Sequence, residues 1–193
     1  MLTEMIESEP GSIKKDKSQD SETTYNWYVV YTRHNCEKKL FDLLQKANYK
    51  CFLPLYTTVR QWSDRKKKVQ VPLINSVVFV SVEEKELSRI YEFSQVKGVL
   101  KEFGKPAKVK ENEIETLKIL AKEWSGEAIS TGNASQNIQK GDPVEVLRGP
   151  FKGISGELIE LNGKHRVVVR INSMNVEFVI NVPLNTIKKT ETP

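Results

Sequence analysis

The segment Asp142–Leu158 reads DPVEVLRGPFKGISGEL, a strand, a tight turn and a second strand within seventeen residues. Val144 and Val146 alternate with polar neighbours, as a half-buried strand requires. In the turn, Gly149 and Gly153 can take a positive φ where a Cβ would clash, and Pro150 presets φ near −65°. Phe151 places one large apolar side chain at the loop tip, available to cap a small barrel. Gly156 opens the second strand. Downstream, Arg166–Ile171 and Val176–Ile180 are dense in β-branched and aromatic residues, which lose χ1 freedom in a helix. Asn162-Gly163 between Leu161 and Lys164 is a two-residue hairpin signal, and Pro183 would interrupt a helix. About five short strands in about fifty residues suit a small SH3-like barrel, expected over residues 139–193.

Working towards the N-terminus, Gly126–Asn137 has the Ser, Thr, Gly, Asn and Ala composition of a linker, which sets expected boundaries of 123–138 for the linker and 25–122 for the preceding domain. Residues 1–24, polar with scattered Met, Leu and Ile, are expected to form a disordered tail. The net charge of +5 is unevenly spread: residues 25–122 hold 19 Lys/Arg against 11 Asp/Glu. That surplus suits a polyanionic partner, although solvated lysines alone often produce one. Cys36 and Cys51 show neither metal spacing nor a disulfide framework and read as small apolar residues of a reducing compartment, so a cytoplasmic protein is expected. No run reaches the ~20 apolar residues of a membrane span, and no membrane partner is expected.

Within 25–122, Trp27–Tyr31 (WYVVY) predicts a central strand. Asn35 is expected to cap a helix whose inner face is Leu40, Leu43, Leu44 and Ala47. Lys39 and Lys46, seven apart, share an outer stripe beside Lys38. Cys51–Leu55 enters a strand, and Gln61–Lys68 (QWSDRKKK) predicts a hairpin tip with Arg65, Lys66, Lys67 and Lys68 beside Trp62. Such a tip could track a phosphate backbone, or its lysines could simply protect a sheet edge. Val77–Val80 is a fully apolar strand of central type. Glu83–Phe93 predicts a helix with Leu87, Ile90 and Tyr91 inward. Residues 96–100 make a turn and a strand ending at Phe103-Gly104, and residues 111–124 a last helix with Ile114, Leu117, Ala121 and Trp124 inward. The order β-α-β-β-β-α-β-α implies an α+β fold, helices against an antiparallel sheet.

These elements resemble a known family. The turn Gly149, Pro150, Phe151, Gly153, with Gly156 following, resembles the KOW motif of transcription elongation factors and some ribosomal proteins. Trp27–Tyr31, the basic helix after it, Phe52-Leu53-Pro54-Leu55, Pro72-Leu73-Ile74 and Val78-Phe79-Val80 resemble the NusG N-terminal (NGN) domain. Val96-Lys97-Gly98-Val99 followed by Phe103-Gly104 is similar to that family's "RGV…FG" element, with Lys for Arg. The two motif sets occur in the family's order across residues 25–189. The chain is therefore identified by resemblance as a NusG-family transcription elongation factor with an NGN-type sheet, a flexible linker and a KOW barrel. The RQWSDRKKK hairpin and the tyrosine-rich first strand look like the specialised RfaH/UpxY-type antiterminator branch, which acts on restricted operons such as those of polysaccharide biosynthesis.

The resemblance implies several contacts. An apolar patch of Tyr31, Ile74, Val77 and Phe79 would dock on the clamp helices of the largest RNA polymerase subunit. Arg33, His34, Lys39, Lys46 and Lys97 sit where specialised members read the non-template DNA strand. The KOW domain would recruit a ribosomal protein or Rho. Ile74-Asn75 stands where Phe-Pro is usual, Leu43 and Ala47 replace polar DNA-contacting positions, and a Thr-rich loop of RfaH is absent. The resemblance implies binding by a monomer, with no cofactor and no metal. A KOW-containing ribosomal or rRNA-binding protein remains the alternative. It accounts for residues 140–189 but leaves the NGN-like domain without a role. An enzyme is excluded on the site checklist: His34 and His165 are isolated, and no nucleophile set or phosphate-cradling loop accompanies them.

Overall fold

The computed structural model describes residues 24–62, 65–124, 129–131, 141–161, 164–182 and 184–190. Most of the expected tail and parts of the expected linker lie outside these residues, as do Ser63-Asp64, Asn162-Gly163 and Pro183. The chain divides into two compact units, Met1–Ile114 and Glu115–Pro193.

The first unit contains β1 (Asn26–Thr32), α1 (Glu37–Lys46), β2 (Lys50–Phe52), β3 (Leu55–Gln61), β4 (Lys66–Pro72) and β5 (Val77–Val82). A 3₁₀ turn, Glu84–Glu86, runs into the short α2 (Leu87–Ile90), followed by β6 (Val96–Val99), β7 (Lys101–Glu102), β8 (Lys105–Pro106) and β9 (Lys108–Val109). The helix α3 (Glu111–Glu123) begins here and crosses the division between the units. The main sheet runs β2-β5-β1-β6, with β9 also on β1. Every residue of β5 is buried, which explains its unbroken apolar run: both faces of the strand are covered. On one face Tyr28, Val30, Val78 and Val80 join Leu40, Phe41 and Leu44 of α1 and Leu87 and Ile90 of α2 in a single cluster. Strand alternation puts Trp27, Val29, Tyr31, Val77 and Phe79 on the other face. There the Trp27 indole N–H donates to Glu111 Oε2 at 2.7 Å, fixing the first turn of α3.

Several expectations about the helices are corrected. The buried stripe of α1 is Glu37, Leu40, Phe41 and Leu44; Leu43 is only half-buried and Ala47 is exposed. The i, i+3, i+4, i+7 spacing holds, but it starts from a glutamate. Asn35 does not cap the helix: it takes φ 54° in the turn before it, and Cys36 stands at the cap with no side-chain cap bond. The expected Glu83–Phe93 helix shrinks to one turn of each kind, and Tyr91 points outward. In α3 the predicted inner set Ile114, Leu117, Ala121 and Trp124 is buried, joined by Leu120.

The second unit holds β10 (Ile129–Thr131), β11 (Pro143–Val146), β12 (Ser155–Leu161), β13 (Lys164–Ile171), β14 (Val176–Asn181) and β15 (Ile187–Lys189), paired in the order β10-β14-β13-β12-β11-β15. β10 comes from the expected linker; three residues pairing with Val176–Phe178 need little β-propensity in the sequence. Val144, Val146, Val176, Phe178 and Ile180 turn inward by strict alternation. The ring of Trp124 meets Phe178 edge-on at 5.6 Å. Between β11 and β12, Gly149 (φ 90°) and Gly153 (φ 88°) occupy the left-handed region, as the turn reading requires. The Gly153 N–H closes the turn onto Val146 O at 2.8 Å.

Candidate nucleic-acid interface

β1 pairs with β6 up to Tyr31↔Gly98, and there the register slips before Thr32↔Val96. The irregularity interrupts the ladder at Thr32, which stays buried, and other elements take up the backbone there. The Thr32 N–H donates to Ser76 O at 2.9 Å, and the Arg33 N–H to Gln95 O at 2.9 Å. The Ser76 N–H donates in turn to Glu37 Oε1 at 2.7 Å. A buried carboxylate on α1 therefore grips the loop before β5, and that loop grips the end of β1. Ser76 itself sits at φ 58°, a conformation that this bond helps to hold. Glu37 lies in helical register with Leu40, Phe41 and Leu44, but its charge reads as surface in the sequence.

The arrangement frames an open cavity of about 820 Å³ lined by Tyr31, Arg33, His34, Ser76, Lys97 and Gly98. Arg33 and His34 come from the end of β1 and Lys97 from β6, so residues 63 positions apart in sequence share one concave surface. A Cβ added at Gly98 would have nothing within 4 Å. Neither Arg33 nor Lys97 takes part in an ion pair among the described residues, so both guanidinium and ammonium face solvent uncompensated. Tyr31 is half-buried at the rim, and burial raises its hydroxyl pKa above the ordinary tyrosine value. A cationic hollow with an aromatic wall can hold a phosphate beside a base or sugar.

The other expected nucleic-acid residues lie elsewhere. Lys39 and Lys46 are exposed on α1 and do not line the cavity. Lys38 is spoken for: its Nζ donates to Gln70 O at 2.8 Å, bracing the hairpin against the helix. β3 and β4 form a separate two-stranded sheet with Arg60↔Lys67 and Gln61↔Lys66 in register. Lys66, Lys67 and Lys68 thus belong to a strand rather than to the tip. Alternation sets Lys67 and Arg60 on one face and Lys66 and Lys68 on the other, so they form no single cationic stripe. Trp62 is exposed at the tip, its N–H donating to Arg65 O at 2.8 Å.

The apolar docking set is brought together yet mostly hidden. Tyr31 and Val77 are cross-strand neighbours, and Phe79 lies on the same face. Val77 and Phe79 are only 2% and 0% exposed, and Ile74 is 7% exposed. The expectation that Val77 and Phe79 present a surface is corrected for this conformation: a strand covered on both faces offers no side chain to a partner. Tyr31 alone of the set reaches solvent appreciably.

Removing the Glu37 grip should loosen the cavity. Glu37→Ala leaves the Ser76 N–H unsatisfied and should cost roughly 2 kcal/mol in urea unfolding, whereas Glu37→Gln, which keeps an acceptor, should cost clearly less. Equal losses for the two variants would show that the hydrogen bond is not what holds the loop.

Residues 25–118 match a protein-family model described as "Transcription termination factor nusG". The match spans just under half of the 193-residue chain. Among solved structures, the chain is similar to "Domain interaction in Thermotoga maritima NusG", with 21% identity, a TM-score of 0.48, and coverage of 87% of this chain and 98% of that one. It is also similar to "Crystal Structure of MjSpt4:Spt5 complex conformation B", with 19% identity, a TM-score of 0.28, and coverage of 86% and 97%. No curated protein matches the chain. Among the described residues no three His, Cys, Asp or Glu are grouped to hold a metal ion, and no helix is long and apolar enough to cross a membrane.

Proposed function

We propose that this chain is a transcription elongation and antitermination factor of the NusG type. Residues 25–122 bind RNA polymerase, and the Arg33–His34–Lys97 cavity contacts the non-template DNA strand. Its action is binding without bond chemistry: a protein bridge stabilises the elongating conformation of polymerase and suppresses pausing or termination. The convergence of Arg33, His34 and Lys97 on one open cavity of the segment that matches the NusG family model carries this reading. The basic hairpin supports a specialised role on a restricted set of operons, such as those for polysaccharide biosynthesis, in the manner of RfaH and UpxY-type factors. Lys39 and Lys46, with Arg65 and Lys66–Lys68 on the hairpin, extend the cationic surface of the same domain. The second unit, with its KOW-like turn, recruits a ribosomal protein or Rho, and the factor acts as a cytoplasmic monomer.

Arg33→Gln combined with Lys97→Gln tests the cavity. If each residue neutralises one phosphate of a single strand, the salt dependence of complex formation should flatten by roughly 1.4 in slope. An unchanged slope on a cognate template would return both residues to the solvated surface.

A further inference from the structure

Between β6 and β9 the chain leaves the edge of the main sheet. β6 pairs with β1 at Val30–Thr32 and β9 pairs with it at Trp27-Tyr28. From that gap β7 and β8 project as a separate two-stranded hairpin, with Glu102↔Lys105 as its last pair and Phe103-Gly104 as its turn. The base is clamped by Leu100 N–H to Val29 O at 2.9 Å and Ala107 N–H to Leu100 O at 2.9 Å. Phe103 at the tip is 99% exposed and has φ 49°, with Gly104 at φ 82°. Both turn residues are thus left-handed, a geometry that favours Asn-Gly or Gly-Gly and penalises a bulky aromatic side chain. The phenylalanine holds a disfavoured backbone conformation, and its ring buries almost no surface among the described residues. A residue at odds with both its backbone and its solvent exposure marks a functional position.

The surroundings favour one kind of partner. Residues 97–110 carry Lys97, Lys101, Lys105, Lys108 and Lys110 against the single acid Glu102. An apolar ring amid lysines is complementary to a strand that offers both phosphates and unstacked base faces. Lys97 and Gly98 already line the cavity described above, and Phe103 follows Gly98 by five residues, at most ~17 Å of extended chain. We propose that Phe103 is a stacking finger for single-stranded DNA, receiving a base of the strand whose backbone passes Lys97. The inference rests on the reading of the cavity as a DNA-strand site and adds a second, aromatic contact to it.

The test uses the full-length protein and a fluorescent single-stranded DNA of about a dozen nucleotides, with the same sequence as RNA in parallel. Phe103→Ala should weaken DNA binding by between roughly fivefold and 150-fold, the range of one lost stacked base, with the salt slope unchanged. Phe103→Leu should lose as much, because a leucine keeps the apolar surface but cannot stack. Phe103→Asn, which tolerates the left-handed turn, should raise Tm by about 2–4 °C while still weakening binding. DNA carrying 5-iodouracil should photocrosslink to Phe103. Full binding by Phe103→Leu would instead indicate apolar docking of a protein and overturn the proposal. So would a lowered Tm for Phe103→Asn, a loss confined to RNA, or crosslinks that avoid residues 101–106. If Phe103→Ala binds normally while Arg33→Gln/Lys97→Gln does not, the finger is refuted and the cavity stands. If wild type binds no DNA, both readings fall.

Discussion

Gly156→Ala should unfold the C-terminal sheet. An added Cβ would lie 2.4 Å from Val168 O and 2.5 Å from Val167 Cγ1, and the first of these is backbone of the neighbouring strand. Gly156 is also paired with Val144 on its other side, so it cannot shift away without breaking the β11–β12 ladder. Overpacking of a flexible site costs about 1–3 kcal/mol, and here a paired backbone must move, so a loss above ~3 kcal/mol is expected. Gly153→Ala is the control. Its Cβ would meet nothing within 4 Å, and only the positive φ is penalised, by about 1–2 kcal/mol. Urea melts of the two variants should therefore separate clearly, with the β-sheet signal lost first in Gly156→Ala. Comparable stabilities would mean that β12 and β13 do not approach as closely as described.

Phe79→Ala should be the most damaging change in the first unit. Phe79 is fully buried, stands opposite Val29 and Phe52, and packs its ring 6.0 Å from that of Phe52. Emptying such a site costs about 3–5 kcal/mol. A Phe79→Ala protein that fails to bind polymerase would thus report a collapsed sheet rather than a missing contact. Tyr31→Ala is the informative variant, because Tyr31 reaches solvent at the cavity rim and its loss should leave the fold largely intact. Native circular dichroism with weakened polymerase binding is the expected result for Tyr31→Ala. Native dichroism for Phe79→Ala would contradict the two-sided burial of β5.

Much of the fold was legible in local pattern. Trp27–Tyr31, the 114/117/121/124 stripe and the alternating valines of Val144–Val146 each declare their period within a few residues, and burial follows that period. Glu37 and Phe41 escape local pattern for different reasons. A glutamate in an apolar stripe reads as surface until its partner, the Ser76 N–H, is known, and that partner is 39 residues away. Leu40 and Leu44 belong to either stripe, with Phe41 on one side of them and Leu43 and Ala47 on the other, and only the facing sheet decides between the two. Lys66–Lys68 follow directly on a turn-like sequence, so local pattern assigns them to the tip. Pairing with Val59–Gln61, a tertiary fact, drew them into a strand. The same limitation applied to Val77 and Phe79, whose apolar character suits a docking patch and a buried strand equally. Of the candidate site, Arg33, His34 and Lys97 were named from resemblance. Their meeting around one cavity depends on the β1–β6 register, which local sequence does not specify.

The most direct test of strand contact places a photoreactive base in the displaced non-template strand of a reconstituted elongation complex and maps the crosslinked peptides. Crosslinks to the peptides bearing Arg33-His34 and Lys97 are predicted, abolished by Arg33→Gln/Lys97→Gln while polymerase remains bound. Crosslinks confined to residues 139–193, or none from a complex in which the protein is demonstrably present, would contradict the cavity as the DNA-contacting surface.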